Sequence, residues 1–436
     1  DATEDDLYAA IDWLLERQGA IEKKLAARHL DHDGLALYDL SSSYFEGVTC
    51  PLAARGYNRD GKKGKLQVNY GLLTERRGCP VALSVFKGNT ADTQTLLPQV
   101  KKVRGSFGIE RLVLVGDRGM ITQTQIDPLK DIEGIDWITA LRPEAIRKLI
   151  EDRTIQAELF DERNLFEVIH HPDFPGERLV ACRNPELASR RAKKRKELLD
   201  ATRKELEKVR GMVQRGRLKG RDEIGVRVGK GIDKYKVAKH FVLDIRDDAF
   251  HFDIDLPKVA AEAALDGIYV VRTSLPQQRL GTDDTVRSYK LLNQVERAFR
   301  SLKTVDLQVR PIRHRRENRV RAHILICMLA YYVQWHMIEA WRPLLFWDED
   351  QEAKNTRDPV APAARSEGAL KKAHTRRLDD GSRVHSFQTL LHSLSALVRN
   401  KCRRKGAGID EPTFDVNTTP NPKEQEAYDL IEGIAV

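Results

Sequence analysis

Short apolar runs that alternate with turn residues predict an α/β domain between residues 34 and 141. The predicted strands are 35–40, 67–74, 80–86, 111–116 and 137–141. Leucines and valines at helical spacing predict a helix over 93–103, and the composition of 75–79 predicts a hairpin turn. The order of three strands, a helix, a strand, a helix and a strand therefore indicates a mixed sheet with flanking helices.

The whole chain divides by pattern into five segments, 1–33, 34–141, 142–284, 285–345 and 346–436. The first is amphipathic and begins at Asp1, so we expect it to be the helical end of a longer N-terminal region. The third interrupts the α/β pattern and predicts an inserted lobe. The fourth segment has helical patterns over 286–303 and 319–341, and we expect it to complete the α/β core. The last segment is polar and has one predicted amphipathic helix over 387–398.

The inserted lobe contains a highly charged segment, 187–209, with a thin apolar seam. The seam residues are Ala192, Leu199, Leu206 and Val209. We interpret this segment as a solvated helix or helical hairpin, and an arm that grips DNA is the alternative.

Positive charge is clustered along the chain. Lys and Arg outnumber Asp and Glu by 74 to 65, which gives a formal charge of +9. Much of the excess falls within 190–196, 310–321 and 401–405. Such runs favour a polyanionic partner, although a solvated surface is an equal alternative for each run.

The five cysteines are scattered, without the spacing of a zinc knuckle or a disulfide framework, which indicates a reducing compartment. The most apolar stretch, 324–333, is too short to span a bilayer, so we interpret it as a buried helix. We therefore expect a cytoplasmic protein with no membrane partner.

Two aspartates close apolar, strand-like runs. Asp39 comes at the end of 35–40, and Asp117 follows the run Leu112–Val115. A carboxylate in this position is costly unless a cation or hydrogen bonds stabilise it, and strand ends are where α/β folds expose site residues. The alternative for either residue alone is a turn-forming or helix-capping role.

Glu296 has two polar neighbours at a spacing of nearly two helical turns. Tyr289 lies seven residues before it and Lys303 seven residues after it. On a continuous helix the three side chains would share one face. A carboxylate flanked by a hydroxyl and an ammonium suits a site that holds a divalent metal beside phosphate, although an amphipathic helix can show this spacing by chance.

Three segments together resemble bacterial insertion-sequence transposases of the DDE class: Tyr38–Gly47, Leu114–Met120 and Tyr289–Lys303. The group they are most similar to is the insertion-sequence-four superfamily or a close relative. The family pattern Tyr-x2-Arg-x3-Glu-x6-Lys is kept at Tyr289, Glu296 and Lys303. Leu292 stands where the pattern has arginine. The resemblance covers about 34–341 and implies a ribonuclease-H-like core, interrupted by an insertion before the last catalytic helix.

The same resemblance implies an enzyme that cleaves DNA at transposon ends and transfers the 3′-hydroxyl into target DNA. Its catalytic and metal-holding residues would be Asp39, Asp117 and Glu296, with two Mg²⁺ ions, or Mn²⁺ as a substitute. Its DNA contacts would be Tyr289, Lys303, Arg297 and Arg300, the last two as candidates to replace the missing arginine. The implied partners are double-stranded DNA, both terminal inverted repeats and target, and a second copy in a homodimer associated with the bacterial nucleoid.

Two alternatives remain open at this point. A ribonuclease-H-like nuclease would hydrolyse DNA without strand transfer, and the insertion and the Tyr289/Lys303 pair argue against it. A catalytically dead remnant would occupy DNA ends as a repressor or scaffold, and Leu292 is its main support. Retention of all three acids argues against the second alternative.

Overall fold

The computed structural model of the chain describes residues 2–305, 307–348, 350, 352, 356–362, 364–406, 408, 410 and 412–434. The described helices are α1 (Glu4–Glu16), α2 (Gln18–His29), α3 (Thr93–Phe107), α4 (Gln123–Lys130), α5 (Pro143–Glu151), α6 (Pro185–Gln214), α7 (Arg221–Ile232), α8 (Leu256–Ala263), α9 (Thr282–Lys290), α10 (Leu292–Arg300), α11 (Glu317–Ala340), α12 (Glu367–Thr375), α13 (Phe387–Leu394) and α14 (Pro422–Glu432). The described strands are β1 (Leu35–Phe45), β2 (Leu66–Glu75), β3 (Pro80–Lys87), β4 (Leu112–Val115), β5 (Ile135–Ala140), β6 (Leu165–Ile169), β7 (Arg178–Arg183), β8 (Phe241–Ile245), β9 (Phe250–Ile254), β10 (Ile268–Thr273), β11 (Arg399–Cys402) and β12 (Phe414–Asn417).

Two compact units divide the chain. The first comprises residues 1–139, 287–358 and 362–436, and the second comprises 140–286 with 359–361. The second unit therefore interrupts the first in sequence, before α10.

The sheet of the first unit has the strand order β3-β2-β1-β4-β5. β1 pairs antiparallel with β2, and β2 pairs antiparallel with β3. β4 runs parallel to both β1 and β5. Together with the helices against it, this order confirms the predicted mixed α/β fold, which is consistent with a ribonuclease-H-like domain.

The core of this unit follows from the composition of its strands. β2 is buried along almost its whole length, and the Tyr70 ring meets Phe299 of α10 edge-on at a centroid distance of 5.8 Å. α10 packs against β1, whereas α2 and α11 pack against β3. These contacts fix α10 beside the centre of the sheet.

A buried carboxylate protects the free edge of β3. Glu22 of α2 accepts hydrogen bonds from the Leu83 N–H (2.9 Å) and from Gln18 (2.8 Å). Its second oxygen lies 2.5 Å from the Lys102 ammonium. Glu22 thus supplies an acceptor for a backbone N–H of the edge strand. Exposed strand edges can pair with other chains, and the Glu22 side chain covers this one.

The apolar stretch 324–333 lies within α11, where Ile324, Leu325 and Met328 are fully buried. This confirms the prediction of a core helix. Among the residues that the structure describes, no helix is long and apolar enough to cross a membrane.

The second unit contains a three-stranded antiparallel sheet in the order β10-β7-β6, a β8–β9 hairpin and the helical pair α6 and α7. α6 buries Leu199 and Leu206 against apolar side chains of α7, β8 and β9. Ala192 of the predicted seam is exposed, and Arg195 is buried instead, paired with Asp266. The charged segment is thus one arm of a helical hairpin.

The C-terminal region contains more structure than the single amphipathic helix predicted for it. α13 begins at residue 387 as expected, but α12, α14 and the β11–β12 hairpin were not predicted. Leu390 of α13 packs in a cluster with Trp341 and with Ala427 of α14, whose carbonyl accepts the Trp341 indole N–H at 2.8 Å. The pattern missed α14 because most of its side chains are polar, and tertiary contacts rather than an apolar stripe hold it.

Candidate active site

Parallel pairing of β1 and β4 brings Asp39 and Asp117 to corresponding positions. The ladder between β1 and β4 ends with Leu37 paired with Val115, and Asp39 and Asp117 each follow two residues later in the chain. Neighbouring strands are about 4.8 Å apart, so the two carboxylates emerge side by side.

Asp39 does not end its strand, which corrects one expectation. β1 continues to Phe45, and Asp39 itself pairs with Leu72 of β2. The apolar run stops at Leu40, but Ser43 remains buried because its hydroxyl hydrogen-bonds the Tyr70 hydroxyl at 2.9 Å. A polar side chain can continue a buried strand when a neighbouring strand supplies its partner.

Asp39 is held in an unfavourable environment for an isolated anion. The pKa of Asp39 is raised to about 7, first because burial disfavours the anion and also because the negative charges of Asp117 and Glu296 lie nearby. The Leu40 N–H, which donates to its carboxylate at 2.7 Å, and the nearby Arg59 act in the opposite direction. A bound cation would relieve this charge repulsion.

Asp117 is fixed by the turn that it begins. Its Oδ1 accepts the N–H groups of Gly119 at 2.9 Å and Met120 at 2.8 Å. Gly116, just before it, allows a close approach of Ile121, since a Cβ there would lie 2.8 Å from the Ile121 side chain. One carboxylate oxygen is therefore used to hold the turn, and the exposed side chain keeps its other oxygen for a ligand.

The predicted continuous helix around Glu296 is interrupted, which corrects the single-face arrangement. Tyr289 belongs to α9, Glu296 to α10, and Lys303 to a π-helical segment, Ser301–Val305. At the break, the Gln294 N–H donates to the Leu291 carbonyl, three residues back, instead of four. The helical spacing of the three residues therefore does not define a common face.

Tyr289 nevertheless remains within reach of the acids. Burial raises its pKa to about 12, and the charges of Asp117 and Glu296 contribute in the same direction. Arg118, which follows Asp117 directly, opposes them. The phenol therefore stays protonated and able to donate a hydrogen bond beside the carboxylates.

Lys303 is engaged within the protein. Its ammonium lies 3.1 Å from Asp60, which also pairs with Arg310 and accepts the Tyr44 N–H at 2.9 Å. The Asp60 side chain is 1% exposed, and that of Lys303 is 11% exposed. This buried ion triad joins the loop before β2 to the segment after α10.

The polar face of α10 is open. Glu296, Arg297 and Arg300 are exposed, whereas Val295 and Phe299 on the opposite face are buried. The Arg297 guanidinium lies 5.9 Å from the Trp347 ring centroid. The structure thus presents Glu296 at the surface with two arginines on the same helix.

Sequence reasoning missed two arginines whose positive charge acts on the candidate site. Arg59 pairs with Asp92 at 2.6 Å and acts electrostatically on Asp39, and Arg118 acts on Tyr289. Leu292, where the family pattern has arginine, is the first residue of α10. Arg59 lies in a loop without periodicity, and its pairing with Asp92 arises only from the fold, so no signal in the sequence indicated it.

The donor set fits hard divalent cations. Carboxylate oxygens are the ligands that Mg²⁺ and Mn²⁺ prefer, and Asp39 is a half-buried acid close to two other carboxylates. Within the described residues, the one group of three potential ligands that all lie within 4.8 Å of one another is elsewhere, so these three acids do not form a single compact ligand set. Two cations that share one carboxylate would each need only a pair of these acids.

Comparison with protein families gives a match to the family described as Transposase DDE domain over residues 42–333. The match covers more than half of the chain, includes Asp117 and Glu296, and starts three residues after Asp39. The chain therefore belongs to this family and is a DNA-binding transposase of the DDE class, a class that generally uses divalent metal ions. No curated protein gives a significant match to the sequence.

Proposed function

We propose that this transposase cuts DNA at the ends of its own element and joins the freed 3′-hydroxyl to target DNA, with Asp39, Asp117 and Glu296 as its catalytic acids. The observation that carries the proposal is the parallel register of β1 and β4, which brings a half-buried Asp39 beside Asp117, where the charges of Asp117 and Glu296 raise its pKa. Such a cluster of negative charge needs a counter-cation to persist ionised at neutral pH.

Asp39 is the natural shared ligand, because its carboxylate interacts with those of Asp117 and Glu296. Asp117 and Glu296 would each complete one cation site, with Mg²⁺ in both and Mn²⁺ as a substitute. When bound, the two ions supply a polarised nucleophile and charge stabilisation on the leaving oxygen of the phosphodiester.

The remaining polar groups would position the DNA. Tyr289 stays protonated next to the acids and can donate its hydrogen to a phosphate oxygen. Arg297 and Arg300 lie exposed on the same helix as Glu296 and can neutralise phosphates. Lys303 would act indirectly, as a positioning residue, because its pairing with Asp60 fixes the segment that follows α10.

We further propose that the enzyme works as a homodimer that brings two transposon ends together. A transposition reaction needs both ends cut and joined to one target, and two active sites meet this need with one site for each end. Double-stranded terminal inverted repeats and target DNA are then the partners.

The test uses the full chain with DNA that carries the element's own terminal repeats, in Mg²⁺ or Mn²⁺. The variants are Asp39→Asn, Asp117→Asn and Glu296→Gln, which keep side-chain volume. Asp131→Asn, an exposed aspartate at the end of α4, is the matched control. Cleavage and strand transfer are expected to be lost in the three variants and kept in the control, with end binding intact in all.

Two outcomes would replace the proposal. Cleavage of the ends with no joined product, even when precleaved ends are supplied, would favour a nuclease. Binding of ends without cleavage by the parent protein in either metal would favour an end-binding repressor. Retained cleavage in any of the three variants would remove that residue from the proposed site.

A further inference from the structure

Three potential metal ligands from distant parts of the sequence meet in the first unit. They are His29 in the last turn of α2, Cys79 in the turn between β2 and β3, and His336 on α11. One ligand atom from each lies within 4.8 Å of the other two. No other group of three His, Cys, Asp or Glu side chains in the described part of the chain meets this condition.

The polar atoms of this cluster are incompletely satisfied. Cys79 is fully buried, and its Sγ lies 3.9 Å from His29 Nε2. His29 Nε2 also lies 3.0 Å from the Tyr332 hydroxyl. The Nε2 of His336 is buried without a hydrogen-bond partner among the described residues. A buried polar nitrogen left unpaired costs about 1–3 kcal/mol, so a ligand that binds it would stabilise the fold.

We propose that His29, Cys79 and His336 bind a zinc ion, with water in the fourth position. One thiolate and two imidazoles are ligands of borderline-soft cations, in contrast to the carboxylates of the candidate active site. Ligand atoms around tetrahedral zinc are about 3.3–3.8 Å apart, given metal–ligand distances near 2.0–2.3 Å. The observed 3.9 Å between sulfur and nitrogen is already close to that separation.

Metal binding at this site changes the protonation of the cysteine. Zinc binds the two imidazoles through the lone pair of a ring nitrogen and binds cysteine as a thiolate, so the Cys79 thiol proton must leave. Zinc binding forms the zinc–sulfur bond and releases that one proton to solvent.

The position of the site gives it a structural consequence for α10. Gly78, next to Cys79, packs so closely against Gln294 that a Cβ at Gly78 would lie 3.0 Å from the Gln294 Cβ. Gln294 is two residues before Glu296. A zinc ion that ties the Cys79 turn to α2 and α11 would therefore fix the surface against which α10 begins.

The experiment uses metal-free full-length protein and Co²⁺ as a spectroscopic probe, followed by Zn²⁺ competition. With excess Mg²⁺ present to occupy the acids, the first equivalent of Co²⁺ is expected to give a thiolate charge-transfer band and tetrahedral d–d bands, which Zn²⁺ removes. Cys79→Ser should lose the charge-transfer band. Cys327→Ser, a change at another buried free cysteine, should keep it.

Equal thiolate bands in the parent and in Cys79→Ser, or no thiolate band in the parent, would overturn the proposal. If Cys79→Ser fails to fold, His336→Gln decides, because it keeps the thiol and removes one imidazole. A weaker or lost thiolate band at the first equivalent of Co²⁺ in that variant supports the site, whereas an unchanged band refutes it. The result is independent of the proposed DNA chemistry, since metal binding is read without DNA.

Discussion

Replacement of Asp39 by asparagine should stabilise the metal-free protein, and the gain should grow with pH. Burial and the neighbouring acids raise the pKa of Asp39 from 3.8 to about 7. A carboxyl group whose pKa is higher in the folded state binds its proton more tightly there than in the unfolded chain. Its contribution to stability is present below about pH 4 and is lost as the pH rises through 7.

The size of the effect follows from the pKa shift. One pKa unit corresponds to about 1.4 kcal/mol, so Asp39 costs the fold about 4 kcal/mol at pH 8, where it is ionised in the folded state, and about 2 kcal/mol at pH 5, where the folded state keeps its proton. Asparagine carries no charge at either pH and can still accept the Leu40 N–H. The advantage of Asp39→Asn should therefore grow by about 2–3 kcal/mol between pH 5 and pH 8.

Urea unfolding in the presence of a chelator at both pH values measures this difference, with Asp131→Asn as the control for loss of one negative charge. Mg²⁺ should then stabilise the parent more than Asp39→Asn, because a ligand that binds only the folded state adds to its stability. A variant that is less stable than the parent at pH 8, or an advantage that is independent of pH, would refute the electrostatic account of Asp39.

Four further changes test the scaffold. Asp60→Ala leaves two largely covered cations, Lys303 and Arg310, without their buried carboxylate and should cost about 3–5 kcal/mol in urea unfolding; a loss below 1 kcal/mol would contradict the role of this ion triad. Glu22→Ala should cost a similar amount and increase aggregation measured by light scattering, since the β3 edge loses its acceptor. Gly71→Ala should cost about 1–3 kcal/mol or more, because the new Cβ would lie 2.1 Å from the Tyr38 hydroxyl. Gly105→Ala, in an open position on α3, should stabilise by about 0.5–1 kcal/mol in the same assay.

The central sheet was predictable because its strands carry continuous apolar runs. β2, β3 and β4 were predicted to within a residue or two at either end, and so was the helix start at Thr93. Asp39 and Asp117 were candidates because each closes such a run, and Glu296 was a candidate because of its spacing from Tyr289 and Lys303. The resemblance of the surrounding segments then favoured all three over turn or surface residues, which position and spacing alone did not.

Features that depend on contacts between distant residues were not predictable. The continuation of β1 past Leu40 requires Tyr70 on another strand as a partner for Ser43. The break between α9 and α10 at Leu291 is a change in backbone hydrogen bonding. The sequence has helical periodicity on both sides of it, so the pattern gave no sign of the break. Asp60 looked like an ordinary loop aspartate until the fold placed Lys303 beside it.

The two sites of the first unit differ in ligand chemistry, and this difference has a thermodynamic consequence. Mg²⁺ has little affinity for thiolate or imidazole, so it would occupy the carboxylates and leave Cys79 protonated. Zinc accepts oxygen as well as sulfur and nitrogen ligands, so excess zinc would also compete for Asp39 and its neighbours. Since the acid cluster is open and the Cys79 cluster is buried and partly preformed, the first equivalent of zinc should go to the latter. Low zinc would then support the position of α10, whereas high zinc would displace Mg²⁺ from the acids.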